Sequence, residues 1–528
     1  DIQPLVPHQY SKEGPGIAVG DINSDGLDDF FIGGSTSFSG MFFVQGNSST
    51  FRSYQLQGEN NYEDMGALLF DADGDGDNDL YVVSGGSGLP PGIEFYNDRL
   101  YVNNGSSGFT MDKEAIPDER VCGSHVTAAD LDRDGDLDLF VCGRVTLENY
   151  PIPPRSYLLR NDSKGSQIKF TDVTGIVSPE LERPGLLASA LWTDFNRDGW
   201  PDLIIAGEWM PVMFFKNEQG KLRNITASAG LDKYTGWWNS IAAGDFDKDG
   251  DMDYAVGNLG LNTQYKVSAS EPMRIMAKDF DLNGTLDPVC SYYVQGKSYP
   301  IYHRNVLLSQ IPSLKNTFTT YESYARASID DIFPEETRKD AYIRECKYFE
   351  SSWIENLGDE TFKVHALPVE AQFSPVFGIL AGDYDYDGNC DLILTGNSYS
   401  SNVFTGQYDA STGLFLSGDG EGGFTSVLGR NSGFFVDGDA KALAELSLKD
   451  GSSLILAAQN SDTLKVLKPV SKSPGSIRLR KDEVYAEVTF SNGKKSYHEF
   501  HYGSGYLSQS SRVLKIPENA VSVEITTY

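Results

Sequence analysis

The sequence is poor in positive charge, in cysteine and in long apolar runs. Its 528 residues hold 43 Lys and Arg against 75 Asp and Glu, a formal net charge of −32. A nucleic-acid-binding surface needs a basic face, so the charge argues against nucleic acid as a partner. No run approaches the roughly 18 apolar residues of a membrane span, so the sequence shows no transmembrane segment. The five cysteines, Cys122, Cys142, Cys290, Cys346 and Cys390, include no CxxC pair, which argues against structural zinc. They are too sparse for a disulfide framework, leave room for one bridge and do not fix the compartment. The six histidines are scattered, and no GxSxG elbow, P-loop or HExxH motif occurs. The chain starts at Asp1 rather than Met, so it reads as a processed product or part of something longer. The lack of a signal peptide therefore says nothing about secretion.

Hydrophobic residues make up 40% and aromatics 12%, enough to bury a core. The distinctive feature is a repeat, D-x-[DN]-x-[DN]-G-x-x-D, present in seven copies. "DINSDGLDD" starts at Asp21, "DADGDGDND" at Asp71, "DLDRDGDLD" at Asp130 and "DFNRDGWPD" at Asp194. "DFDKDGDMD" starts at Asp245, "DFDLNGTLD" at Asp279 and "DYDYDGNCD" at Asp383. Short apolar runs flank each copy, such as "GALLF" before and "LYVVSGG" after, and read as strands. Third elements ending in an Asn/Gly turn follow in several units, as in "RLYVNNGSSGF" and "VMFFKNEQGKL". The unit is strand, acidic loop, strand, turn, strand, turn, strand, which predicts one four-stranded propeller blade. An eighth, degenerate unit spans Gly438 to Leu467 without the acidic ladder. Eight blades are favoured; seven is the count if the units at 245 and 279 share one. "IPSLKNTFTTYESYARASIDDIF" spaces Ile311, Leu314, Phe318, Tyr321, Ala325, Ile329 and Ile332 as one amphipathic helix, within a helical insertion at about 305–350.

The loops point to metal. Asp21, Asp71, Asp130, Asp194, Asp245, Asp279 and Asp383 stand first. Asn23, Asp73, Asp132, Asn196, Asp247, Asp281 and Asp385 stand third, and Asp25, Asp75, Asp134, Asp198, Asp249, Asn283 and Asp387 fifth. Gly at position 6 allows a sharp turn. Leu27, Asp77, Asp136, Trp200, Asp251, Thr285 and Asn389 offer backbone carbonyls at position 7. Asp29, Asp79, Asp138, Asp202, Asp253, Asp287 and Asp391 close each loop at position 9. A cage of hard oxygens suits Ca²⁺, which takes 6–8 such ligands, better than Mg²⁺. Closure at position 9 before a strand, rather than at position 12 before a helix, argues against a helical calcium sensor. The seven windows hold 29 of the 75 acids, and seven Ca²⁺ ions would bring the net charge to −18. The expected role is structural, one ion stapling each hairpin.

These loops and flanks resemble FG-GAP/VCBS-type repeats, as in integrin α-subunit propellers and bacterial surface proteins. "YAEVTFSNGKKSYHEFHYGSGYLSQSSRVLKIP" (Tyr485 to Pro517) resembles the ASPIC/UnbV-type module that follows such propellers in cartilage acidic protein and bacteroidete surface proteins. The resemblance implies a propeller over 1–468, a β-module over 469–528, export, and a bacterial outer-membrane surface as the favoured location. "LVPHQYSKEGPGIAVGD" resembles the middle of longer bacterial relatives, which implies the C-terminal half of such a protein. The resemblance implies a surface or matrix binding role and does not imply a reaction. The leading expectation is a non-enzymatic, calcium-stabilised extracellular protein with a protein or glycan partner at one propeller face. "SGLPPGIEFYNDRLY" (Ser87 to Tyr101) and "ENYPIPPRSY" (Glu148 to Tyr157) are the candidate partner loops. A polysaccharide lyase or hydrolase is the alternative, with "YPIYHRN" (Tyr299 to Asn305) as its densest cluster. An accessory role in an outer-membrane complex is a third reading, from family analogy.

Overall fold

Alternating apolar runs ended by Gly and Asp make short strands that pair with their sequence neighbours. In the computed structural model, six such sets form four-stranded antiparallel arrays. The structure describes residues 3, 5–47, 50–58, 61–106, 108–402, 405–469, 475–491 and 493–527. Blade 1 is Ile17–Gly20, Asp29–Ile32, Met41–Gln45 and Phe51–Gln55; blades 2, 3 and 4 begin at Asp64–Phe70, Cys122–Ala129 and Leu186–Thr193. Blade 5 begins at Ser240–Gly244, blade 6 at Val376–Gly382, and blade 7 at Ala440–Ser447 with three strands. The first strands neighbour one another in order, and that of blade 7 neighbours that of blade 1. The ring is an all-β propeller.

The ring has seven blades, not the favoured eight. Blade 5 pairs Asp253–Gly257 with Ser352–Asn356, and everything between them is an insertion. The acidic loop at 279 lies in that insertion. It joins Met273–Lys278 to Asp287–Val294 in a separate four-stranded sheet. The 34-residue spacing is short because the loop starts no new blade. The single long helix is also corrected. Arg304–Gln310, Tyr321–Arg326 and Ile329–Ile332 are separate short helices. Thr320 and Ser328 each form a capping box that starts a new one. Ile311, Phe318, Ile329 and Ile332 still face one apolar cluster, which also takes in Leu5, Tyr150 and Trp209. The insertion thus packs on one face of the ring. The five cysteines are free thiols. No helix among the described residues is long and apolar enough to cross a membrane.

The C-terminal residues form a three-stranded sheet, with Glu483–Phe490 central, and a two-stranded one. The linker read at Pro469 to Ser476 lies largely outside the described residues. Beyond the strand Lys495–Glu499, residues 502–511 enter the axis of the ring and bond to its blades. Ser508–Gln509 adds a parallel strand to Ile17–Gly20 of blade 1. The Gln509 side chain donates to Leu69 O (2.8 Å) and accepts Leu69 N–H (2.7 Å) in blade 2. Tyr502 bridges Ala128 in blade 3, and Gly505 O accepts from Ser189 Oγ in blade 4. Gly505 N–H donates to Ile241 O in blade 5, and Tyr506 stacks edge-on to Phe377 in blade 6. Ser511 N–H donates to Glu445 O in blade 7. The plug therefore touches every blade. Gly503 is required there: its φ is +84°, and a Cβ would lie 2.6 Å from Val126 O.

At the other end of the axis, a buried ion cluster closes the ring. Arg144 meets Glu13 at 2.6 Å and also pairs with Glu208. His8 and Tyr10 each reach Glu208 at 2.8 Å.

Candidate metal centres

Each acidic loop joins the first strand of its hairpin to the second. Six lie on one face of the ring, in blades 1 to 6, and the seventh is in the insertion. The fourth residue is left-handed in all seven, from Ser24 (φ 58°) to Tyr386 (φ 64°), and so is the Gly at position 6. These two residues curl the backbone around a common point. The first aspartate accepts the N–H of that Gly, at 2.7 Å for Asp21 and Asp194, 2.8 Å for Asp279 and 3.0 Å for Asp130 and Asp383. The fifth side chain accepts the N–H of residue 7, as in Asp75 with Asp77 (3.0 Å) and Asp198 with Trp200 (2.9 Å).

Carboxylate oxygens of positions 1, 3 and 9 come within 4.8 Å of one another in Asp71/Asp73/Asp79, Asp130/Asp132/Asp138, Asp245/Asp247/Asp253 and Asp279/Asp281/Asp287. The fifth side chain is not part of these tight groups. In the loops at 21 and 194 an amide, Asn23 or Asn196, holds position 3.

The ninth aspartate is buried in every loop. Burial pushes the carboxyls of Asp29, Asp79 and Asp391 up to about 7, Asp138 and Asp253 to about 8 and Asp202 to about 9. Backbone N–H donors offset part of this, and neighbouring loop acids add to it. Several buried loop oxygens have no hydrogen-bond partner: Asp77 Oδ1, Asp202 Oδ2, Asp245 Oδ1, Asp251 Oδ1, Asp281 Oδ1 and Asp383 Oδ1. Orphaned acceptors clustered at negative potential fit a divalent cation held by oxygen.

An asparagine ladder tied to these loops was not singled out from the sequence. Asn103, Asn161, Asn217 and Asn356 end the third strands of blades 2 to 5. Each gives its N–H to its own blade's ninth aspartate, at 2.8, 2.8, 2.6 and 2.9 Å. Each then gives its side-chain amide to the second loop residue of the preceding blade: Ile22 O, Ala72 O, Leu131 O and Phe195 O, at 2.8–3.0 Å. Gln45 makes the equivalent reach from blade 1 to Ser447 O of blade 7 (3.2 Å). The signal was the recurrent "VNN", "LRN", "FKN" and "IEN".

The candidate partner loops turn inward. Tyr96 and Tyr150 are buried, and Tyr96 Oη bonds Leu89 O across its own loop. Pro90, Pro91 and Glu148 remain exposed. In the "YPIYHRN" cluster Tyr302 is buried and Arg304 donates to Phe318 O at 2.6 and 2.8 Å, while His303 and Asn305 are exposed. His498 pairs with Ser496 and His501 with Trp192 O, so they do not act together.

Fold and site define a class: a seven-bladed β-propeller with an acidic loop in six blades and a C-terminal plug in its axis. Within it, residues 71–141 and 194–256 match the FG-GAP-like repeat family. No curated protein matches the chain in sequence. Among solved structures, an Agrocybe aegerita lectin recognising non-reducing terminal N-acetylglucosamine is similar at 14% identity, with 79% of each chain covered and a TM-score of 0.37. YCF48 bound to D1 peptide is similar at 9% identity, covering 89% of this chain and 98% of that one, with a TM-score of 0.40. The rhamnogalacturonan lyase YesW is similar at 12% identity, covering 96% and 73%, with a TM-score of 0.33. These values carry no inference about what this chain binds or does.

Proposed function

We propose that this chain is a calcium-stabilised, non-enzymatic binding or scaffold protein of the cell surface. The observation that supports it is the set of loops with converging carboxylates and orphaned buried oxygens. Ca²⁺ would be held by side chains at positions 1, 3, 5 and 9 and by the carbonyl of residue 7. When bound it supplies positive charge that fixes the hairpin; no chemistry on a substrate is asked of it. The C-terminal residues are read as an ASPIC/UnbV-type module, built into the ring through its plug.

The partner is a protein or a glycan. With Tyr96, Tyr101, Tyr150 and Tyr157 of the candidate loops buried, the better seat is the crevice between the module and blades 2 to 4. Its volume is about 290 Å³, and Arg133, Trp192, Lys481, Tyr485, Tyr502 and Arg512 line it. Cationic and aromatic groups beside an acidic-loop face give both hydrogen bonding and stacking. Outer-membrane attachment and extracellular location complete the reading.

Co-purification from native membranes tests it, with calcium retained. A stoichiometric partner lost on mutation of Tyr485, a half-buried ring of that crevice, is expected. The reading fails if the protein cleaves acidic or neutral polysaccharides, giving unsaturated or reducing ends, and loses that turnover in His303→Ala or Arg304→Ala. The polysaccharide lyase or hydrolase alternative would then stand.

A further inference from the structure

The module sits on the same face as the acidic loops and touches three first-position aspartates in three ways. Lys481 Nζ lies 2.9 Å from Asp71 Oδ2. Tyr497 N–H donates to Asp245 Oδ2 (3.3 Å). Glu499 Oε1 accepts the N–H of Asp194 (3.1 Å), and Glu499 Oε2 accepts from Thr193 Oγ1 (2.7 Å). Only the first of these three brings a positive charge.

Asp71 takes the N–H of the sixth-position Gly as other first aspartates do, but that of residue 4 where Asp21, Asp130, Asp194 and Asp279 take that of residue 5. Its Oδ1 accepts Gly74 N–H (2.7 Å) and its Oδ2 accepts Gly76 N–H (3.2 Å). Its side chain is 7% exposed, whereas that of Lys481 is 56% exposed. The ammonium is thus the outer partner of a carboxylate whose inner side faces Asp73 and Asp79. Lys481 belongs to the module and Asp71 to blade 2, about 410 residues apart in the chain.

We propose that Lys481 is a tethered counter-cation of the 71–79 loop. It weakens this loop's hold on a divalent ion, and it couples ion occupancy there to the seating of the C-terminal module. This rests on the calcium reading above. An ion held by Asp71, Asp73 and Asp79 would lie about 5 Å from the ammonium; charges of +2 and +1 at that distance weaken binding on the order of tenfold even in a water-like dielectric. Linkage makes the effect reciprocal: the ion loosens Lys481 by the factor by which Lys481 weakens the ion. Among the described residues, the module brings no cation to the first aspartates of the loops at 194 and 245; there the cations come from neighbouring blades and reach position 6, with Arg133 donating to Gly199 O and Arg197 beside Gly250.

Calcium titration of the full chain by calorimetry tests this with Lys481→Met and Lys481→Arg. One ion site should tighten about tenfold in Lys481→Met and stay as in wild type in Lys481→Arg. In an Asp71→Asn background, Lys481→Met should have no further effect on that site. Amine acetylation read by mass spectrometry supplies a second arm: Lys481 in the wild type should react several-fold faster with calcium than with chelator. If wild type binds calcium and neither the affinity in Lys481→Met nor the Lys481 reactivity changes, the proposal is wrong and the calcium reading survives. If neither wild type nor variant binds calcium, both fall.

Discussion

Gln509→Ala tests whether the plug holds the ring. Gln509 is 3% exposed and makes paired hydrogen bonds to the N–H and C=O of Leu69, itself 1% exposed. Leu69 lies in the first strand of blade 2, opposite Leu80 on its paired side. Its other edge faces the axis, where the plug supplies the partner. Removing the amide leaves a buried donor and a buried acceptor unmet. Each costs about 1–3 kcal/mol, so the variant should lose about 2–6 kcal/mol. Urea unfolding gives the total, and native-state hydrogen exchange gives the place. A loss of about 2 kcal/mol corresponds to roughly 30-fold faster exchange at the Leu69 amide, if that amide opens with the ring. A loss below about 1 kcal/mol with unchanged Leu69 exchange would show the plug to be a passive filler.

The ladder gives a second expectation. Asn217→Ala removes side-chain bonds to Leu131 O and Pro201 O and should cost about 1–3 kcal/mol by urea unfolding; a cost near zero would remove the asparagines from the account. Arg144→Met should be severe, at about 3–5 kcal/mol, because Glu13 and Glu208 are left buried without their cation. Adding Glu13→Gln and Glu208→Gln should recover part of that loss; no recovery would mean that packing alone matters. The metal-free protein should also respond to pH. Six of the ninth aspartates, Asp29, Asp79, Asp138, Asp202, Asp253 and Asp391, have folded values near 7 to 9, above the unfolded value near 4, and burial also raises Asp287, so the native state binds more protons than the unfolded chain. Their contribution is fully present below about pH 4 and is lost as pH rises through 7 to 9. In chelator, the melting temperature should therefore fall from pH 6 to pH 9, and calcium should flatten the fall. A rise over that window in chelator would contradict the assignment.

Much of the ring was legible because each loop carries its own instructions. Gly26 and its six counterparts mark the turn, and the apolar runs around them mark the strands. Ring position is not encoded locally, which is why the loop at 279 read as a blade: its hairpin is the same whether it sits in the ring or in an inserted sheet. The helix was over-read for a similar reason. The apolar spacing from Ile311 to Ile332 is real, but Thr320 and Ser328 bond their own backbone and restart the chain. The asparagines were visible as turn residues. Their reach to a preceding blade depends on neighbouring sheets and leaves no pattern within one repeat. The plug was hardest to see. "GSGYLSQSS" has no periodicity, and its partners lie hundreds of residues away: Gln509 and Leu69 are 440 apart. The candidate site suffered the same limit, since Lys481, Tyr497 and Glu499 reach the loops from the module.

The central claim is that divalent ions hold these hairpins. The direct measurement is thermal unfolding of the full chain at neutral pH in calcium and in excess chelator, with bound metal counted by elemental analysis. The account expects several calcium ions per chain and a substantially lower melting temperature after chelation, restored by adding calcium back. No bound calcium and the same melt in both conditions would contradict it.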